Sequence, residues 1–384
     1  MTTRIAVTGL GAVTGFGRGV AALWSGLMEG RRATSLRPGL GALSHVGPVA
    51  LVPELAWGDD PSSRVETISR WAAEEALADA RIDGASVTLS YGTTKGGIAS
   101  FLELVRDAAH PPFSPPARAT YAGPALALAT ALGVRHVEVA SAACVSSNVA
   151  LGTALDLLRS GEATTVLAGG ADTLSDFVIS GFAALKALDP APSRPFDGAR
   201  RGLNLGEGGA FLVLEHEDTA RARGARVRAW LDGYGLSGDA VHMTGPDREG
   251  RGAARAMRAA LAEANLRPEQ VDFISAHGTG TAFNDLMEDR AVALVFGSRA
   301  VPVHSIKGAI GHTLGASAAL EAVVTVLALE AGVVPPTVGH MTRDPEMSLE
   351  VVAGSPRRLA VQHAISTSSG FGGTNAAIVL ARAS

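Results

Sequence analysis

The sequence predicts an α/β fold, and three observations carry that reading. Short β-rich runs alternate with Ala/Leu-rich helical runs along the 384 residues, the pattern of strands covered by helices on both faces. The composition is 47% hydrophobic and 18% charged with a mean hydropathy of +0.21, which suits a large buried core and not a disordered chain. Finally, VEVASAACVSSNVALGTALDLLRSGE and VPVHSIKGAIGHTLGASAALEAVVTVLALEAG follow one plan: strand, small-residue turn, a Cys or a His, then helix. A chain this long is expected to fold as two packed halves or two domains, residues 1–223 and 224–384. Each half opens with a strand running into Gly-rich chain, RIAVTGLG near Arg4 and RVRAWLDGYG near Arg226.

In order, the first half reads as strand Arg4–Thr8, helix Gly19–Glu29, helix Ser63–Ala80, strand Val87–Tyr91 and helix Ile98–Asp107. His110–Pro116 (HPPFSPP) is a loop, because its four prolines forbid regular structure. Strand His136–Ala140, helix Cys144–Ser160, and strands Thr165–Ala168 and Ala210–Glu215 complete that half. The second half reads as strand Val227–Gly233, helix Gly250–Ala264, strand Val271–Ser275, helix Asn284–Phe296, strand Val301–Ile306 and helix Thr313–Ala331. Strands Leu349–Ala353, His363–Ser366 and Ala376–Ala381 close it.

A formal net charge of −4 gives no sign of a nucleic-acid binder, so any basic docking patch is local. The single cysteine cannot form an internal disulfide, which fits a reducing cytoplasm. MTTRIAVTGLGAV lacks the features of a signal peptide, and no clean span of about 20 apolar residues stands out. GLGAVTG follows a strand, but its glycine spacing and the missing acidic residue about 20 positions on do not match a dinucleotide site.

Cys144 stands where a strand ends and a helix begins. Unpaired N–H groups and the positive end of the helix favour thiolate there, and the same N–H groups can hold an oxyanion. The bland alternative is an inert buried cysteine. Two more strand ends carry chemistry: SAHGTGTAFND places His277 in a Gly/Thr loop, and SIKGAIGHTLGASAALE places Lys307 and His312 around a strand-to-helix turn. SSGFGGTN, Ser368–Asn375, is a Gly-rich turn able to bring a backbone N–H close to a ligand.

Taken together, VTGLGAVTGFG, the Cys144 segment, VLAGGAD, SRPFD with GEGGA, GDAVHMTGPD, HGTGT, KGAIGH and GFGGTN occur in order along nearly the whole chain. In these the sequence resembles the β-ketoacyl-acyl-carrier-protein synthases of the type I/II ketosynthase family. The resemblance implies a thiolase-like fold, two duplicated α/β halves in a five-layer αβαβα arrangement. It also implies an acyltransferase that condenses an acyl thioester with malonyl-acyl carrier protein in fatty-acid or polyketide elongation. Under it, Cys144 carries the acyl chain. His277 and His312 support decarboxylation and hold the enolate, and Lys307 and Glu321 are the family's lysine and its partner carboxylate. The N–H groups of Cys144 and Phe371 form the oxyanion hole, with Phe371 also the gate. Thr279, Thr281 and Gly372 meet the phosphopantetheine arm, which arrives on the carrier, so no bound cofactor or metal is implied. Arg64, Arg70, Arg200 and Arg201 are the expected carrier-docking residues.

The chain departs from the family pattern at Ser369, where the family often has Phe, in the run Ala187–Pro192, and in trimmed loops around Ser35–Trp57. These departures bear on substrate and partner more than on the reaction. A dimer is implied, with a second copy or with a ketosynthase-like chain-length factor. The alternative role is that of the silent, chain-length-determining subunit itself, which lacks the nucleophile that Cys144 supplies here. A thiolase usually uses a second cysteine, and a type III-like enzyme has Asn where His312 stands.

Overall fold

The computed structural model describes residues 4–37, 46–57, 61–107 and 116–383, without the side chains of residues 61, 62 and 107. The proline loop of His110–Pro116, apart from Pro116, and part of the Ser35–Trp57 segment lie outside the described residues. The strands, in chain order, are β1 (Ile5–Thr14), β2 (Gly17–Arg18), β3 (Thr88–Gly92), β4 (Val137–Ala140), β5 (Thr165–Asp172), β6 (Gly208–His216) and β7 (Ala229–Gly238). They continue as β8 (Phe273–Ser275), β9 (Pro302–His304), β10 (Val333–Val334), β11 (Glu350–Val351), β12 (Arg357–Arg358), β13 (His363–Gly370) and β14 (Thr374–Arg382). The helices are α1 (Val20–Met28), α2 (Pro61–Ala80), α3 (Ile98–Asp107), α4 (Gly123–Leu132), α5 (Ser146–Ser160) and α6 (Asp176–Ala184). After them come α7 (Glu217–Ala222), α8 (Arg251–Glu263), α9 (Ala282–Phe296), α10 (Lys307–Ile310) and α11 (Ser317–Ala331).

The main sheet runs β11-β9-β8-β13-β14-β7-β1-β6-β5-β3-β4. Within it one five-strand unit occurs twice. In β1-β6-β5-β3-β4 the pairings are antiparallel, antiparallel, parallel, parallel. In β7-β14-β13-β8-β9 the same four pairings recur in the same order. Among the described residues the units join edge to edge only where Ile5–Val7 pair with Ala229–Leu231.

Three buried clusters define five layers. Ile68, Ala72 and Ala76 of α2 pack with Leu89, Tyr91 and Phe211 outside the first unit. Met257 and Leu261 of α8 and Met287 of α9 pack with Ile274 and Ile365 outside the second. Between the units, Leu151 and Leu155 of α5 and Leu320, Val323 and Val324 of α11 share one core with Leu212, Phe273 and Ile378. α11 is long and apolar enough to cross a bilayer when counted from Leu314, but 89% of that span is buried inside the protein.

The paired glycines at the start of each half serve this layering. A Cβ at Gly11 would meet the Ala72 carbonyl at 1.9 Å, and one at Gly235 would meet the Ala256 carbonyl at 2.1 Å. Each outer helix therefore lies directly on its opening strand, which is why GLG and GYG recur without a nucleotide.

Each expected strand forms in part or whole: those at Arg4 and His363 run longer than the pattern indicates, those at Val271, Val301 and Leu349 are shorter, and the two-residue β2, β10 and β12 were not expected. Four helices escaped it. α4 begins Gly-Pro, a pair that reads as a breaker, yet Pro is compatible with the first helical turn because no partner for its nitrogen is needed there. α6 is rich in aromatic and β-branched residues, and α7 and α10 span 6 and 4 residues. The helix expected from Cys144 starts at Ser146, and that expected from Thr313 starts at Ser317 after a 3₁₀ turn.

Two of the expected docking residues are not free to dock a carrier. Arg64 is 1% exposed and ion-paired with the fully buried Glu207, so its guanidinium faces the interior. Arg200 is similarly committed: its side chain is 6% exposed, paired with Asp344 and 3.9 Å from Asp285. Removing one partner of a buried pair strands the other, at about 3–5 kcal/mol. Arg64→Ala should therefore lower the melting temperature by several degrees. Arg70→Ala, at a half-exposed guanidinium 3.9 Å from Glu74, should leave it within about a degree, the effect of a pair worth about 0–1 kcal/mol. Thermal denaturation of the two variants checks both.

Candidate active site

The chain turns that follow β4, β8, β9 and β13 converge on Cys144. Ala143, before it, adopts a left-handed backbone, φ +49°, which costs a non-glycine residue about 1–3 kcal/mol. The turn is held in that shape by side chains. Ser146 Oγ accepts from the Ala142 N–H (2.9 Å) and donates to the Ala143 carbonyl (2.6 Å), and Thr94 Oγ1 donates to the same carbonyl (2.9 Å). Gly370 leaves room at the nucleophile, since a Cβ there would lie 3.3 Å from the Cys144 nitrogen.

The other unit supplies the groups facing the thiol. His312 Nε2 lies 3.0 Å from Cys144 Sγ, and its Nδ1 is 2.9 Å from Ser317 Oγ, itself 3.0 Å from Thr313 Oγ1. The His277 ring stands at 88° to that of His312, centroids 5.2 Å apart. Lys307 Nζ has three protons and meets three acceptors: the His277 carbonyl (2.6 Å), His277 Nδ1 (3.2 Å) and Glu321 Oε1. That arrangement leaves the His277 proton on Nε2.

Burial governs the charge states. It pushes the Cys144 thiol up to about 12, with the Asp172 and Glu321 carboxylates adding to the rise and Lys307 and Lys95 opposing it. The thiolate expected from a helix start is thus outweighed by desolvation. Burial, then the charge of Lys307, holds His277 and His312 well below the usual imidazole range, so both are neutral. Burial also lifts Glu321 to about 7, with Lys307 pulling against it.

Cys144, His277, His312, Lys307 and Glu321 form one contact-linked cluster. Phe371 sits at its rim, 37% exposed, its ring 5.7 Å from that of Phe182. Thr279 is buried and Thr281 half-buried, their hydroxyls 2.9 Å apart, and Gly372 N–H is held by the Met243 carbonyl (2.8 Å). Of the docking candidates, Arg70 and Arg201 stay at the surface, Arg201 next to Asp189 at 3.3 Å.

Three sets of residues were not anticipated. Glu288 accepts from the His277 and Gly278 N–H groups (2.7 and 2.6 Å), and Asp285 accepts from Thr279, Gly280 and Phe196. The signal was an acidic pair three apart at the start of the helix after HGTGT. Asp172, ending VLAGGAD, accepts from Thr93 Oγ1 and from the N–H groups of Thr94, Lys95 and Gly315. Ser317 carries no motif signal.

The chain matches the model of the β-ketoacyl synthase N-terminal domain over residues 60–220 and that of the β-ketoacyl synthase C-terminal domain over residues 228–341. It is 38% identical to a putative polyketide beta-ketoacyl synthase 1 of Streptomyces cyaneus, covering 99% of this chain and 98% of that one. Among solved structures it is similar to the ishigamide ketosynthase/chain length factor, with TM-score 0.91 and 34% identity over all of both chains. It is equally similar in TM-score, 0.91, to a ketosynthase bound to a hexaketide and complexed with a type II PKS acyl-carrier protein, at 29% identity over all of both chains.

With the thiol raised to about 12, thiolate is a minute fraction at neutral pH and grows about tenfold per pH unit. Alkylation of Cys144 by iodoacetamide should keep accelerating from pH 7 to 10, without levelling near the ordinary thiol value of about 8.5. A plateau below pH 8 would show that the turn and His312 hold a thiolate instead.

Proposed function

The chain belongs to the β-ketoacyl synthase family, and from that premise we propose that Cys144, His312, His277 and Lys307 carry out a decarboxylative Claisen condensation. An acyl thioester on Cys144 is joined to malonyl-acyl carrier protein, in fatty-acid or polyketide elongation. The observation that carries the reading is the 3.0 Å contact between Cys144 Sγ and His312 Nε2, two residues from opposite halves of the fold. A silent subunit has no use for a nucleophile so partnered.

In the first step Sγ attacks the thioester carbonyl while its proton passes to His312 Nε2, with His312 Nδ1–H donating to Ser317 Oγ. The carrier's sulfur leaves and takes that proton back. In the second step malonyl loses CO2 and negative charge gathers on its thioester oxygen. Two neutral imidazole N–H groups meet it: His277, whose proton Lys307 confines to Nε2, and His312, which between the two steps releases its Nδ1 proton to solvent by way of Ser317 and takes one from solvent on Nε2. The Ser317 hydroxyl can donate or accept, so it supports either tautomer of His312. The enolate carbon then attacks the acyl carbonyl, the carbon–sulfur bond breaks, and sulfur leaves as thiolate. One proton is consumed per turnover, and the raised pKa of Cys144 favours its capture at sulfur.

This reading assigns no cofactor beyond the phosphopantetheine that the carrier brings. The same reading assigns Thr279, Thr281 and Gly372 to that arm and Arg70 and Arg201 to carrier docking. Strand β4 ends the sheet with an edge that no described residue pairs, exposing Val139, which suits pairing with a second copy or a chain-length factor. A free thiol and carrier-borne substrates suit a reaction in the reducing cytoplasm.

Cys144→Ala should abolish the acyl-enzyme in intact-mass measurements while leaving the fold intact; an adduct on that variant would refute the assignment. His277→Ala should slow condensation about 100- to 1000-fold while acyl loading changes far less. Ser317→Ala should slow both loading and condensation about fivefold, the worth of one neutral hydrogen bond, with KM for the carrier substrate unchanged. A rise in KM alone would show that Ser317 acts on binding.

A further inference from the structure

One cation at the site has no partner in the mechanism. Lys95 follows β3 in a loop that Asp172 locks: Oδ1 accepts from Thr93 Oγ1 (2.8 Å) and the Lys95 N–H (3.3 Å), and Oδ2 from the Thr94 N–H (2.9 Å). The same Oδ2 accepts from Gly315 N–H (2.7 Å), three residues past His312. Lys95 thus has a fixed origin beside the nucleophile turn. Its half-buried side chain places Nζ 5.6 Å from the centre of the Phe177 ring, and the preceding residue, Thr94, donates its hydroxyl to the Ala143 carbonyl (2.9 Å) next to Cys144. Lys307, the other nearby cation, has its donors taken by Glu321 and His277. Among the described residues no carboxylate stands within ion-pairing distance of Lys95. The remaining wall near Cys144 is aromatic, with Phe182 between Phe371 and His312.

We propose that Lys95 reads the acyl chain carried by Cys144 and selects chains that bear an oxygen acceptor, a keto oxygen or a carboxylate, over saturated hydrocarbon. This rests on the acyl-enzyme reading above. Hydrocarbon packed against an unpaired ammonium strips its water and returns nothing. A keto or carboxylate oxygen returns a charge-assisted hydrogen bond, and the aromatic wall still packs on the chain's carbons.

The test uses the enzyme with any subunit that co-purifies with it, and the N-acetylcysteamine thioesters of butanoate, 3-oxobutanoate and succinate. Acylation rates of Cys144 are followed by intact mass. The wild type should favour the two oxygenated acyl groups over butanoyl. Lys95→Met should lower that preference about tenfold, and Lys95→Arg should keep it. A larger loss for succinyl marks the selected chain as anionic, and a larger loss for 3-oxobutanoyl marks it as a ketone. An unchanged preference in Lys95→Met overturns the proposal, as does a Lys95→Met protein that alters only its assembly state, which would make Lys95 a subunit contact. A wild type acylated by none of the three overturns the acyl-enzyme reading, and this proposal with it.

Discussion

The Asp172 carboxylate is the joint on which the site depends. It ends a central strand of the first unit, is 1% exposed, and accepts from a loop of its own unit and from the Gly315 N–H of the other. A buried carboxylate without donors costs several kcal/mol, and this one is met by four. Those donors fix the nucleophile turn, through Thr94 and Ala143, to the turn that carries His312. A change in how the two units pack would move a group that reaches both, so the Cys144–His312 distance is protected by the cost of unsatisfying Asp172.

The rest of the site repeats this economy of buried polar groups. The loop that carries His277 runs over two carboxylates, and its backbone N–H groups are spent on them. Lys307 has no free proton, which lets one positive charge lie in the core and orient a histidine. Desolvation then keeps both imidazoles neutral, so they act as donors whose protons are positioned and not as charges. Burial that raises the thiol also keeps water from the enolate.

Much of this was legible in the sequence. The strand–helix alternation revealed each long strand, because buried strands need continuous apolar runs. Cys144, His277, Lys307 and His312 stood out as reactive types in Gly-rich strand ends. Asp172, Asp285 and Glu288 did not, since most of their partners are backbone N–H groups that any sequence possesses. Ser317 was invisible for the same reason: a serine in a helix start reads as a cap until a histidine is found beside it. Arg64 and Arg200 misled because charge density along the chain does not tell an exposed guanidinium from one buried against Glu207 or Asp344.

The repeated five-strand unit has a consequence for ancestry. Equivalent turns, after β4 and after β9, lead to the nucleophile in one copy and to its histidine in the other. Neither copy holds a complete reactive pair, so once the two diverged, neither could be lost, exchanged or inherited alone. What began as redundancy became an obligate division of labour inside one polypeptide, with the shared core of α5 and α11 as the seam that keeps the descendants together.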